Sequence, residues 1–438
     1  MKFQIKSTSI YIFIFLLLRK ISLFADDEYA KPTLQYDDVD YRNSIRTVLL
    51  HPATIEFGFP IIKLNSTDKL RLEFDDLDAD VKSFNYTLIH CDFGWKPTEI
   101  GVGQYISGSL NESITAYSQS FNATPQYTHY ALNFPTSMVV PTKSGNYIIK
   151  IWEDDAEENL VLTRRFIIYE PIVFIEGNVH GATLNADRNY KQEVDFNVNL
   201  PDNFALQNAY TDINVAIVQN QCWETAITNL QPLYVKQNQL TYDYDDGNVF
   251  NGNNEFRNFD IKNLRASVNI SINKIEYDAQ KQTHVYLVTD EKRAFKKYTL
   301  FTDLDGRFAI RTSNGTNAAI DADYAFVHFN LMAEDSVTEG ALYVYGAFSN
   351  YKCLPANKMK YNAEYKRYLA TVQLKQGYYE YAYAYQKQTE TTPNLTLIEG
   401  NRFETENEYA VFIYQRGIGV FYDKCIGVQF FKPNASSR

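Results

Sequence analysis

Apolar and polar residues alternate with a period of two along most of the chain. Leu70, Leu72 and Phe74 alternate with Arg71, Glu73 and Asp75. Val194, Phe196, Val198 and Leu200 alternate in the same way with Glu193, Asp195, Asn197 and Asn199. Successive side chains of an extended backbone point to opposite faces, so this period predicts strands with one buried and one wet face. Similar runs cover Tyr147 to Trp152, Ile213 to Val218, His284 to Val288 and Tyr324 to Leu331, while helical periodicity is nearly absent. Ser144-Gly145-Asn146, Asp246-Gly247-Asn248 and Asp305-Gly306 supply turn chemistry between the runs. Many short strands punctuated in this way predict an all-β chain of antiparallel, immunoglobulin-like sandwiches.

The length of 438 residues is too great for one sandwich and suits about three consecutive domains. Arg164-Arg165-Phe166-Ile167-Ile168-Tyr169-Glu170-Pro171 reads as a last strand that Pro171 terminates. A second break falls in the polar stretch between Ile310 and Ala319. The expected domains are therefore 26–170, 171–318 and 319–438, with no internal repeat. Residues 1–25 resemble a secretory signal peptide: Lys2 and Lys6 precede an apolar run from Ile10 to Leu18, and Ala25 precedes Asp26-Asp27. The run is too short to span a bilayer. An exported mature chain with no integral membrane segment is expected.

Composition excludes some classes. The net charge of −11 leaves no basic face for nucleic acid. The six histidines stand singly, and HExxH, GxSxG, P-loop and GxGxxG patterns are missing. No metal, cofactor or catalytic residue is nominated, and an enzyme is not expected. Cys91, Cys222, Cys353 and Cys425 form no CxxC pair. Cys353 and Cys425 are candidates for one bridge, with four free thiols as the alternative. The acidic runs Asp75 to Asp80 and Asp243 to Gly247 offer oxygens to calcium, but neither fits the EF-hand offsets, and solvated turns explain both.

The positive signals are aromatic. Tyr379, Tyr381, Tyr383 and Tyr385 share one face of a strand, either packing under a sheet or docking a partner. In Asn254-Glu255-Phe256-Arg257, an extended backbone puts Glu255 and Arg257 on one face, placed to pair, with Phe256 buried opposite.

Seven stretches together resemble the plug-protein family of the type IX secretion system. In order, they are Leu70 to Asp80, Tyr86 to Cys91, Tyr127 to Tyr130, Ser144 to Tyr147, Asn253 to Asp260, Leu374 to Tyr379 and Glu404 to Tyr409. The resemblance implies a periplasmic protein, peripheral at the inner face of the outer membrane. Its implied partner is the outer-membrane β-barrel translocon, whose periplasmic opening it plugs. It transfers no individual contact residues. A second resemblance, from Gly340 to Tyr385, is to the glycogen-binding modules of early-set sandwiches. There Tyr351 occupies the place of a sugar-stacking tryptophan. The alternative reading is thus a periplasmic carbohydrate-binding protein that takes a glycan on its C-terminal domain. A glycosidase would need two carboxylates across a cleft, and no pair is nominated.

Overall fold

The computed structural model describes residues 32–265, 269–417 and 419–433. The expected signal segment lies outside the described residues. The predicted strands form, and they assemble into three two-sheet sandwiches, so the all-β expectation holds.

In the first sandwich, one sheet runs Val39–Asp40, Leu160–Tyr169, Gly145–Glu153, Phe84–Cys91 and Glu112–Ser113 from edge to edge. The facing sheet runs Ile45–Pro52, Leu70–Asp76, Thr128–Phe134 and Tyr117–Gln119. Alternation works here as read: Leu70, Leu72 and Phe74 meet Phe84, Tyr86 and Leu88 in one core.

The second sandwich pairs Phe174–Gly181, Lys191–Asn199, Gln239–Tyr242 and Tyr234–Lys236 in its outer sheet. Its inner sheet runs Cys222–Ile227, Ile213–Gln219, Tyr409–Gln415 and Lys424–Phe431. In the third, Arg257–Asp260, Phe308–Ile310 and Gly340–Tyr345 all pair with Gly377–Lys387. The facing sheet runs Ile272–Tyr277, Thr283–Leu287, Tyr324–Met332, Arg367–Lys375 and Lys360–Asn362.

This pairing corrects the expected cut between 318 and 319. Tyr409–Gln415 lies along the whole of Ile213–Gln219, so the last two strands complete the second sandwich. The third is inserted between that sandwich's strands and takes in Arg257–Asp260, which falls on the other side of the expected cut. Strand pairing joins residues some two hundred positions apart, and nothing local to a strand names its sheet.

The sandwiches pack on one another through their sheets. Ile148, Ile167, Cys91 and Trp95 of the first meet Ala216, Val218, Ala410, Phe412, Tyr414 and Cys425 of the second in a continuous apolar layer. Gly145–Glu153 is accordingly buried on both faces, and its run Tyr147-Ile148-Ile149 is apolar without alternation. Four sheets thus stack in series. Smaller clusters seal the third sandwich to the others: Cys222 and Phe256 against Tyr345 and Tyr351, and Ala123 and Tyr127 against Tyr324. All four cysteines are free, with Cys425 fully buried in the four-sheet stack and Cys353 half-buried beside the Tyr345 cluster.

Candidate functional site

The tyrosine ladder faces inward. Tyr379, Tyr381 and Tyr383 are fully buried in the core of the third sandwich, and Tyr385 packs at its margin. Tyr379 stacks between Phe259 and Phe308, with ring centroids at 5.4 and 5.2 Å. The hydroxyls of Tyr381 and Tyr383 both donate to Asp290 Oδ2 at 2.7 Å. Tyr385 donates to the Thr338 carbonyl at 2.8 Å. The docking face is not offered to solvent, because the facing sheet covers that side of Gly377–Lys387, with Phe329 and Val327 packed into the same core.

The Asn254 to Arg257 stretch holds the neck of the insertion. Asn254 Nδ2 donates to the Glu399 carbonyl at 2.8 Å, tying the chain's entry into the third sandwich to its exit. Arg257 forks onto Glu399 at 3.1 and 3.0 Å and onto Asp290 at 2.7 Å. Burial alone would raise the Glu399 carboxyl, but Arg257 and Arg293 hold it below its ordinary value. The expected Glu255–Arg257 pairing is replaced. Glu255 turns away, fully buried, accepting from Tyr298 Oη and from the Glu406 amide, while its Oε2 has no donor among the described residues. Burial, with Asp303 and Glu406 nearby, pushes its pKa up to about 7. Phe256 is buried, as read, against Cys222, Tyr345 and Tyr351.

Tyr351 does not present a ring to solvent. It is 7% exposed, and its hydroxyl donates to the Asp305 carbonyl at 2.8 Å. The sugar-stacking role drawn from the second resemblance therefore has no platform at this position.

A node that the sequence did not reveal joins the first and third sandwiches. Lys375 Nζ lies 2.6 Å from Asp75 Oδ2, and both side chains are 1% exposed. Tyr324 Oη donates to the same oxygen at 2.6 Å, and the ammonium sits 4.1 Å over the Tyr127 ring. Asp75 Oδ1 meets His129 Nδ1 at 2.7 Å, and His129 Nε2 reaches Glu73 at 3.3 Å. Burial opposes charge on His129, but Asp75 and Glu73 raise its pKa above the ordinary value. Burial likewise works to neutralise Lys375, and here it outweighs Asp75, so the lysine is lowered. The neighbouring acids of the run are neutralised locally, with Lys82 Nζ 2.7 Å from Asp76 and in contact with Asp78. The calcium reading of Asp75 to Asp80 thus gives way to protein cations.

The first and second sandwiches are joined by polar groups as well as by their apolar layer. Tyr414 Oη donates to Asn146 Oδ1 at 2.7 Å, and Asn146 Nδ2 donates to the Asp92 carbonyl at 3.1 Å. Gly145 permits this approach: a Cβ there would stand 2.6 Å from His90 Nε2 and 2.8 Å from the Asp423 carbonyl, at φ +140°.

A cleft where the sandwiches meet is lined by Asp38, His51, Glu56, Glu224, Arg307 and Tyr351, among others. Its acids are engaged: Glu56 pairs with Arg311 at 2.6 Å, and Glu224 lies 3.6 Å from Lys352. Among the described residues, one group brings three candidate metal ligands together, namely His180, Glu193 and Asp195. They lie on two facing strands, so no local spacing marks them in sequence. No helix among the described residues is long and apolar enough to cross a membrane.

Residues 45–170 match the family described as the type 9 secretion system plug protein, first domain. The crystal structure of a hypothetical protein from Parabacteroides merdae is similar over 91% of this chain and all of its own, at 30% identity and a TM-score of 0.87. A putative membrane anchored protein from Corynebacterium diphtheriae aligns over 88% of this chain and 91% of its own at 9% identity, but its TM-score of 0.13 carries no argument. No curated protein matches. The seven motif stretches and the match over the first sandwich agree: the chain belongs to the type IX secretion system plug protein family.

Proposed function

We propose that this protein is a periplasmic subunit that binds and plugs the periplasmic opening of the outer-membrane β-barrel translocon of type IX secretion. The observation that supports this reading best is the way the sandwiches are fixed to one another. Four sheets stack without an intervening solvent layer, and the third sandwich is pinned to the first by a buried ion pair. Domains meant to move relative to each other usually meet through smaller, more polar contacts. A stopper must hold its shape against a wide pore, because any hinge within it would open a leak. Stiffness also limits the ordering cost of docking, so more of the contact area is available for affinity.

On this reading the molecule acts by presenting folded surface, not by turning over a substrate. The carbohydrate alternative has no supporting observation, since Tyr351 is enclosed. Affinity capture of the mature chain from outer membranes, with partners identified by mass, tests the proposal. It should recover one very large β-barrel in near-stoichiometric amount, and recovery of soluble periplasmic proteins without that barrel would count against it.

A further inference from the structure

Among the described residues, His180, Glu193 and Asp195 make their side-chain hydrogen bonds within the second sandwich, on its outer sheet. Phe174–Gly181 pairs antiparallel with Lys191–Asn199, which sets His180 directly across from Glu193. Glu193 and Asp195 are two residues apart on one strand and share a face, while Val194 between them enters the core. The imidazole and both carboxylates thus converge on one patch, with ligating atoms all within 4.8 Å of one another.

Each group is oriented. His180 Nδ1 lies 2.8 Å from the Gly181 carbonyl, which can only accept, so Nδ1 carries the hydrogen. Nε2 is left turned toward the acids, 2.7 Å from Asp195 Oδ2. An imidazole fixed by a backbone carbonyl on one nitrogen, with the other directed at a ligand position, is the arrangement that orients metal-bound histidines. Thr183 holds Glu193 by its backbone N–H at 2.7 Å and its hydroxyl at 3.0 Å. Asn248 Nδ2 holds Asp195 Oδ1 at 2.9 Å. Asn248 is fully buried, and its Oδ1 has no donor among the described residues.

We propose that His180, Glu193 and Asp195 bind one divalent transition-metal ion of the zinc class. A mixed imidazole and carboxylate set suits such an ion, whereas calcium and magnesium prefer oxygen alone. Admission requires that His180 Nε2 and Asp195 Oδ2 separate to about 3.3 Å, the spacing of two donors about 2.0–2.1 Å from a tetrahedral ion, that a Glu193 oxygen close to the same spacing, and that the proton His180 Nε2 shares with Asp195 leave. The ion would cross-link the two strands at the start of the loop that joins them and fix that hairpin on the molecule's outer sheet.

The test is calorimetric titration of the chelator-treated mature chain with zinc chloride, paired with thermal melting. Wild type should take up one zinc per chain and melt higher with zinc than without, and calcium chloride should do neither. Circular dichroism would first establish that the variants fold. His180→Ala and Asp195→Asn should lose zinc-dependent stabilisation, and Asn248→Ala should weaken binding about tenfold by releasing Asp195. Should His180→Ala fail to fold, His180→Gln keeps the volume without the ring nitrogen and should lose the effect equally. A wild-type chain that shows no heat and no melting shift, or a folded His180 variant that binds zinc as tightly as wild type, would overturn the site.

Discussion

Lys375 and Asp75 meet without solvent, and the energetics of such a pair are asymmetric. Desolvating two charges offsets much of their attraction, but removing one partner leaves the other buried and unpaired. Lys375→Met or Asp75→Asn should therefore cost roughly 3–5 kcal/mol in denaturant unfolding, and Asp75→Leu combined with Lys375→Met should recover much of it. Glu255 makes a separate prediction through pH. Its pKa is raised to about 7 from an ordinary value of 4.5, so the folded chain binds the proton more tightly than the unfolded chain. Its stabilising contribution is complete below pH 4.5 and is lost as pH rises through 7, with a slope of up to about 1.4 kcal/mol per pH unit. His51 and His129, also raised, act in the same direction, whereas His90, lowered to about 4 by burial, acts in the opposite one. The informative quantity is thus the difference: Glu255→Gln should flatten the stability profile between pH 5 and 7 relative to wild type, and identical profiles would refute the assignment. Neither role was legible locally. Alternation placed Asp75 on a wet face, correctly for an isolated sandwich, but the third sandwich covers that face with Lys375, 300 positions away. The pattern set Glu255 beside Arg257, yet Glu255 turns to Tyr298 and Glu406 while the Arg257 guanidinium takes Glu399 and Asp290.

Elements were easier to read than their grouping. The alternating runs became strands at nearly the expected places because burying one face of a sheet dictates the pattern. Tyr147 to Trp152, read as an alternating run with one wet face, is buried on both faces because a second sheet covers it. Which strands share a sheet was not legible, and the cut at 318 separated strands that pair. A fragment ending there lacks the two strands that complete the sheet of Ile213–Gln219. Fragment 171–318 should accordingly show no cooperative unfolding, whereas 171–433 should melt as a folded unit. Cooperative melting of the shorter piece would contradict the insertion topology. At the junction of the four stacked sheets, Phe412→Ala should cost about 3–5 kcal/mol, as a large buried ring is replaced by a cavity. It should also expose the Glu170–Val173 connection to protease, readable by the rate of cleavage there.

For the molecule as a whole, most of the motif stretches that carry the family resemblance lie at the junctions. Asp75 and Lys375 belong to two of them, Tyr127 to a third, Gly145 and Asn146 to a fourth, and Asn254 to Arg257 to a fifth. A pattern read first as a set of strand signatures therefore records how three sandwiches lock together. That explains why it spans the chain while naming no active site. The zinc-class cluster escaped notice because its ligands come from facing strands. A docking surface of the proposed kind would be a property of the outer contour, which no local pattern encodes. The proposed plugging can be measured directly as closure. Planar-bilayer conductance of the purified outer-membrane translocon, recorded with this subunit bound and after its removal, is the decisive measurement. Ion current should be blocked when the subunit is present, and a large open-pore conductance should appear once it is stripped away. Equal conductance in the two preparations would contradict plugging.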